Sequence, residues 1–246
     1  MKELRALMIG AHNDECEYGL GGLTGLLVDR GVNVRYVNPA AKWHAAVSDE
    51  EKRETEEQEQ EAARLLGAQK HMLGDRDRHV YLENENAVVE LEMEIHDFKP
   101  DMVFIQWPRD FHIEHVETAK ASYKAICTAG PHGTRVSEVY AYQAGPNQTI
   151  DFHPDIAIDV TEAMPRVKDS LLVFNQVHAN GQWLWKEKEV SAAYLGHING
   201  FRYAETLKIV KFPEKNNDFI LRTLLGGAFR WCGNTQYPAG GCEYLV

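Results

Sequence analysis

The sequence predicts an α/β protein built on a central, mainly parallel sheet flanked by helices. Three observations predict it. Short apolar runs, Leu4–Ala11 and Asp101–Trp107 among them, have the length of buried parallel strands. Segments with helical apolar spacing lie between such runs, which implies βαβ units with right-handed crossovers. Two clusters of histidine and carboxylate follow two of the runs, where open α/β sheets bind ligands.

The elements follow in order. Leu4–Ala11 is the first strand. Gly19–Arg30 reads as a helix with Leu20, Leu23, Leu26 and Leu27 on one face, ended by Gly31. Val32–Val37 is a second strand. Ser48 caps the next helix and Glu51 completes a capping box. That helix runs to Leu66 and stops at Gly67. Its charged stretch, Glu50–Glu61, is expected to be solvated. His71–Leu73 is a third strand, Asn86–Phe98 a helix, Asp101–Trp107 a fourth strand and Glu114–Thr128 a helix. The helix stripes are Val88, Leu91, Ile95 and Val116, Ala119, Tyr123, Ile126. The second half is less regular. Val139–Gln143, Ile156–Val160 and Glu205–Phe212 read as strands. Ala163–His178, Lys186–Ala193 and Phe219–Leu225 read as helices, and Cys232 to Gly241 as a loop. No repeat or linker divides the 246 residues, so a single domain over 1–246 is expected, Rossmann-like with a smaller C-terminal elaboration.

Composition narrows the partners. A formal net charge of −11 argues against nucleic acid or an anionic membrane surface. No apolar stretch approaches the roughly 20 residues that span a bilayer. The N-terminal apolar run breaks at His12 and Asp14, too soon for a signal peptide. Cys16, Cys127, Cys232 and Cys242 show no CxxC spacing. They read as reduced thiols of a cytoplasmic protein, with a Cys232–Cys242 bridge left open.

The chemistry lies in Ala11-His12-Asn13-Asp14-Glu15 and Asp110-Phe111-His112-Ile113-Glu114-His115. His12 and Glu15 lie three apart in a strand-to-helix turn and can face one point. His115 offers a third ligand from the second cluster. Two imidazoles and a carboxylate leave a metal position open for water, the pattern of catalytic zinc. Asp14, between two ligands, is placed to act as general base. His112 and His115 share a face at a helix start, so one can bind metal while the other steadies a tetrahedral intermediate. Asp110 and Glu114 are candidate partners that fix the imidazole tautomers. Other residues have plainer readings. Cys16 reads as a packed residue, and Trp183 and Trp185 as structural. Trp107 and Phe111 are as much candidates for packing as for a sugar-facing wall. His44, His71, His79, His96, His132 and His153 lack clustered neighbours in sequence. Gly19, Gly21 and Gly22 lack the GxGxxG order of a dinucleotide loop.

The first cluster resembles the AHPDDE motif of the PIG-L/LmbE-like zinc-dependent N-deacetylases. Pro108 to His115 is similar to that family's PxDxHxDH motif. Ala62-Ala63-Arg64-Leu65-Leu66-Gly67, Asp159-Val160-Thr161, Lys168 to His178, and Gly200 with Tyr203-Ala204-Glu205 extend the likeness over roughly residues 5 to 210. The resemblance implies an LmbE-like fold and Zn2+ as cofactor. It implies His12, Glu15 and His115 as metal ligands and Asp14 and His112 as catalytic residues. It implies Asp77 and His178 as substrate-binding residues, with His197 a further candidate. The expected activity is removal of acetyl from an N-acetylglucosamine-type sugar, in a homo-oligomer. The alternatives are an amidase acting on another N-acyl or thiol-conjugate substrate, or a lapsed metal- or sugar-binding module. The sequence departs from the motifs at Asn13 for proline, at Glu15 and Glu114 for aspartate, and at Thr55, where the family often carries arginine.

Overall fold

The computed structural model describes residues 3–40, 48–73, 79–80, 82, 84–175, 180–211 and 219–233. In the first half strands and helices alternate: β1 (Arg5–Ile9), α1 (Glu15–Val28), β2 (Asn33–Asn38), α2 (Asp49–Leu66), β3 (Gln69–Met72), α3 (Asn84–Phe98), β4 (Met102–Gln106), α4 (Ile113–Ala129) and β5 (Glu138–Tyr142). The second half contains β6 (Ile156–Asp159), α5 (Met164–Leu171), α6 (Gly181–Asn199), β7 (Ala204–Lys211), α7 (Ile220–Leu225) and β8 (Phe229–Trp231).

The strands form one sheet in the order β3-β2-β1-β4-β5-β7-β6-β8. The β3/β2, β2/β1, β1/β4 and β4/β5 pairs are parallel. The β5/β7, β7/β6 and β6/β8 pairs are antiparallel. From β1 the chain winds outward to β2 and β3. It then returns to place β4 on the other side of β1. The carboxyl ends of β1 and β4 therefore flank a topological switch point, where such sheets open a crevice.

Period-two alternation sets the two faces of the core. Ala6 and Met8 of β1 join Phe104 and Tyr140 beneath α1, α2 and α5. Leu7 and Ile9 join Val103, Ile105 and Val139 beneath α3 and α4. Every residue of β4 and β5 is buried, as strands covered on both faces require. The α2 cap is the one predicted: Glu51 N donates to Ser48 Oγ, and Ser48 N donates to Glu51 Oε2 at 2.8 Å. Gly67 ends the helix at φ 84°.

Several boundaries differ from the sequence expectation. Helix α1 begins at Glu15, four residues before the predicted start, because its glycines serve packing. A Cβ at Gly19 would lie 2.5 Å from the Tyr142 ring, and one at Gly22 2.5 Å from Val160 Cβ. The helix predicted over Ala163–His178 stops at Leu171. Helix α6 comes next, and its cap residue Asn180 accepts hydrogen bonds from the N–H groups of Gln182 and Trp183. Helix α6 is longer than the predicted Lys186–Ala193 and ends at Gly200, φ 74°. Strand β8, of only three residues, lies between the predicted Phe219–Leu225 helix and the predicted loop, where the sequence reading gave no element, and the loop itself, Cys232 to Gly241, falls mostly outside the described residues. Helix α2 is not wholly solvated: Glu59 is buried and its charge acts on Lys70.

Candidate metal centre

The first cluster occupies the turn from β1 into α1, and side chains from neighbouring strands brace it. Gln106 Oε1, at the end of β4, accepts the Ala11 N–H at 3.0 Å. Asn38 Nδ2, at the end of β2, donates to the carbonyls of Gly10 and His12. The buried Lys70 of β3 donates to the Asn13 carbonyl and, at 2.8 Å, to Glu17 Oε1. Thus Asn38 and Lys70 hold a turn in which the motif's proline is missing. Within it Glu15 folds back, taking the His12 N–H on Oε2 at 2.5 Å and meeting His12 Nδ1 with Oε1 at 2.7 Å.

The second cluster lies between β4 and α4. Asp110 pairs with Thr149 in an isolated bridge, and its Oδ1 accepts the His112 N–H at 2.8 Å. The same oxygen lies 3.2 Å from His115 Nδ1. His112 ends the approach, and His115 sits in the first turn of α4. The two clusters meet at Glu15, whose Oε1 lies 3.0 Å from His115 Nε2, one hundred residues away in sequence. The ring centroids of His12 and His112 are 5.0 Å apart, of His12 and His115 5.5 Å, and of His112 and His115 4.6 Å.

This donor set fits a divalent cation. His12, His112 and His115 each offer a nitrogen within 4.8 Å of the other two. His12 Nε2 is buried without a hydrogen-bond partner. Electrostatics agree. Burial alone would raise the Glu15 carboxyl, but the charge of His12 and the His115 hydrogen bond hold it well below the usual carboxylate range. Burial alone would lower His115, yet Asp110 and Glu15 lift it to about 10. Positive charge is thus favoured between these carboxylates. Asp14 moves the other way: burial, then repulsion from Glu15, pushes it up to about 7, against the pull of His12. A base poised near neutrality is suited to accept a proton and return it.

The remaining expectations divide. Asp110 does orient His115. Glu114 instead meets His79 Nδ1 at 2.9 Å, so it steadies an imidazole outside the cluster. Asp77 and His178 lie outside the described residues. His197 is exposed in the last turn of α6. Thr55 Oγ1 bonds back to the Glu51 carbonyl within α2. Cys16 is a packed thiol, its ionisation pushed far up by burial. Trp107 packs edge-on against Phe152 and donates to the Ile150 carbonyl, while Phe111 is 82% exposed. Sequence reasoning missed Asn38, Lys70 and Gln106. For Asn38 and Gln106 the signal was a polar residue at the end of an apolar run, whereas Lys70, in the polar strand Gln69–Met72, carried none.

The comparisons with known proteins agree with this geometry. The PIG-L family model, described as GlcNAc-PI de-N-acetylase, matches residues 7–126, which include both clusters. Diacetylchitobiose deacetylase of Thermococcus kodakarensis is 27% identical over 225 residues, 84% of this chain and 83% of the relative. The solved structure of N,N'-diacetylchitobiose deacetylase from Pyrococcus horikoshii is similar at a TM-score of 0.63 and 23% identity, covering 84% of this chain and 83% of that one. The 4-carboxy-2-hydroxymuconate hydratase GalB of Pseudomonas putida KT2440 is similar at 0.69 and 18%, covering 88% and 99%. The fold therefore does not by itself select a reaction. Residues 7–126, which hold both clusters, therefore match a PIG-L (LmbE-like) family domain.

Proposed function

We propose that the protein is a metal-dependent N-deacetylase that hydrolyses the acetamido group of an N-acetylglucosamine-type sugar. One observation carries it: a single carboxylate oxygen of Glu15 meets imidazoles from both clusters. The deacetylase relative supports the substrate class. His12, Glu15 and His115 would hold the ion, and their two-imidazole, one-carboxylate character favours Zn2+. The ion, when bound, supplies Lewis acidity toward water and a carbonyl oxygen. Asp14 takes the proton of the attacking water. His112 donates a hydrogen bond to the oxygen that gains charge. Asp14 then returns its proton to the nitrogen as the C–N bond breaks, giving acetate and a free amine. Asp110 keeps His115 turned toward Glu15. Asp77 and His178 would contact sugar hydroxyls, and the exposed Phe111 would offer a ring face to the sugar.

The extra methylene of Glu15 still lets its carboxylate reach both imidazoles, which supports a working site over a lapsed module. The whole chain, 1–246, acts as one domain, a view supported by the single sheet from β3 to β8. No helix among the described residues is long and apolar enough to cross a membrane. The free thiols of Cys16, Cys127 and Cys232 support a cytoplasmic location. A homo-oligomer is supported by α6, where Trp183, Val190, Tyr194 and Ile198 form an exposed apolar stripe. Amine release from N,N'-diacetylchitobiose and from unrelated amides tests the activity. Asp14→Asn should lower kcat by about 10²- to 10⁴-fold, the range for general acid–base catalysis, with metal content unchanged. Full activity in Asp14→Asn would remove the base assignment, and faster turnover of non-sugar amides would remove the sugar.

A further inference from the structure

We propose that Glu92, His96 and His132 form a second metal site, for one divalent transition ion of the zinc class, remote from the His12–His115 cluster. Sequence separation hid it, because each histidine taken alone has no clustered neighbour. Glu92 and His96 lie one turn apart on α3 and share a face. His132 comes from the turn that follows α4. That turn is closed by Gly133 N to Gly130 O at 3.1 Å and Thr134 N to Ala129 O at 3.0 Å. Gly133, at φ 106°, supplies a conformation that other residues rarely adopt.

The three side chains converge on one point. Glu92 Oε1 lies 2.6 Å from His132 Nδ1 and 3.5 Å from His96 Nε2. One ligand atom of each lies within 4.8 Å of the others. Zinc–ligand bonds of about 2.0–2.1 Å set at tetrahedral angles place ligand atoms roughly 3.4 Å apart, so small side-chain shifts admit an ion. The outer contacts also suit ligation. Thr134 Oγ1 meets His96 Nδ1 at 2.7 Å, which turns Nε2 toward Glu92. Thr128 Oγ1 donates to Glu92 Oε2 at 2.7 Å, which leaves Oε1 for the imidazoles. Such contacts fix ring orientation and tautomer in metal sites. The carbonyl end of α4 adds negative potential nearby.

The location separates this site from the first. Phe98 of α3 leads into the amino end of β4, and Thr134 precedes the amino end of β5. The His12–His115 cluster follows carboxyl ends instead. Helix α4 spans the sheet between them, about 25 Å at 1.5 Å per residue. With ligands from α3 and from the exit of α4, the ion would staple the pair of helices that cover one face of the sheet. Two imidazoles and one carboxylate favour zinc, nickel or copper over magnesium or calcium.

Zinc equilibrium dialysis of the full chain, wild type against His132→Ala, tests the proposal. His132 is largely exposed, so the variant should fold. The expected result is one fewer zinc per chain in His132→Ala at micromolar zinc, with amine release unchanged. Zinc should also raise the wild-type Tm more than that of His132→Ala, because an ion held only by the folded state stabilises it. Equal zinc content in the two proteins, or a difference that emerges only at millimolar zinc, would overturn it.

Discussion

At the scale of the residue, the fold turns ordinary side chains into reactive ones by burial and neighbouring charge. Asp14 is the clearest case. Its folded pKa is pushed up to about 7 by burial and by Glu15, whereas an unfolded aspartate titrates near about 3.9. A raised acid favours folding while protonated, and the folded state bears a growing cost as pH rises from about 4 to about 7. Above that range the cost is constant. Asparagine mimics the protonated acid without titrating. Metal-free Asp14→Asn should therefore gain stability relative to the wild type between pH 4 and pH 7, then hold that gain at pH 8. Urea midpoints in chelator across this range check the prediction, and a pH-independent difference would contradict it. At this scale much was legible. His12, Asp14, Glu15, His112 and His115 announced themselves by type and spacing after apolar runs. Asn38, Lys70 and Gln106 did not, because their roles depend on which strands lie side by side. Glu114 misled for a related reason. From its helix position it could reach several imidazoles, and the fold delivered His79.

At the scale of the element, periodicity and caps located most helices and strands of the first half. The Ser48–Glu51 capping box and the Gly67 stop were read directly because both are local chemistry. The start of α1 was obscured by Gly19, Gly21 and Gly22, whose purpose is close approach to Tyr142 and Val160 across the sheet. Helix α6 was shortened in the sequence reading because its apolar residues fall on its outer face as well as on its buried face. Its inner side carries a buried ion pair, Lys188 Nζ to Glu205 Oε1 at 2.7 Å. Glu205 also accepts the N–H groups of Gly22 and Leu23 at 2.8 Å each. One carboxylate therefore joins β7, α6 and α1, and it belongs to the Tyr203-Ala204-Glu205 segment noted in the sequence. Removing its cation leaves a buried charge with incomplete compensation. Lys188→Met should cost about 3–5 kcal/mol in urea unfolding. A loss below about 1 kcal/mol, the usual limit for an exposed pair, would show that the clamp contributes little.

At the scale of the whole molecule, sheet order explains why two clusters a hundred residues apart become one site. Because β1 and β4 are neighbours across the switch point, their following turns open toward the same crevice. Alternating strand and helix signals made the parallel half readable. The antiparallel half, β7-β6-β8, rests on non-local pairings of short strands, which carry little periodic signal. The outer face of α6 bears on the proposed homo-oligomer. Tyr194 is 64% exposed at the centre of its apolar stripe. Replacing it with glutamate would place a charge in the proposed contact. Tyr194→Glu should shift the protein toward monomer in sedimentation velocity, with no loss of thermal stability at low concentration. An unchanged sedimentation profile would exclude this face as the contact.

The convergence of His12, Glu15 and His115 on one ion is tested most directly by anomalous diffraction at the zinc edge from zinc-loaded crystals. The expected result is a peak about 2.0–2.2 Å from a nitrogen of each histidine and a carboxylate oxygen of Glu15, with Asp14 beside it. Density that leaves these three side chains without a shared ion would contradict the account.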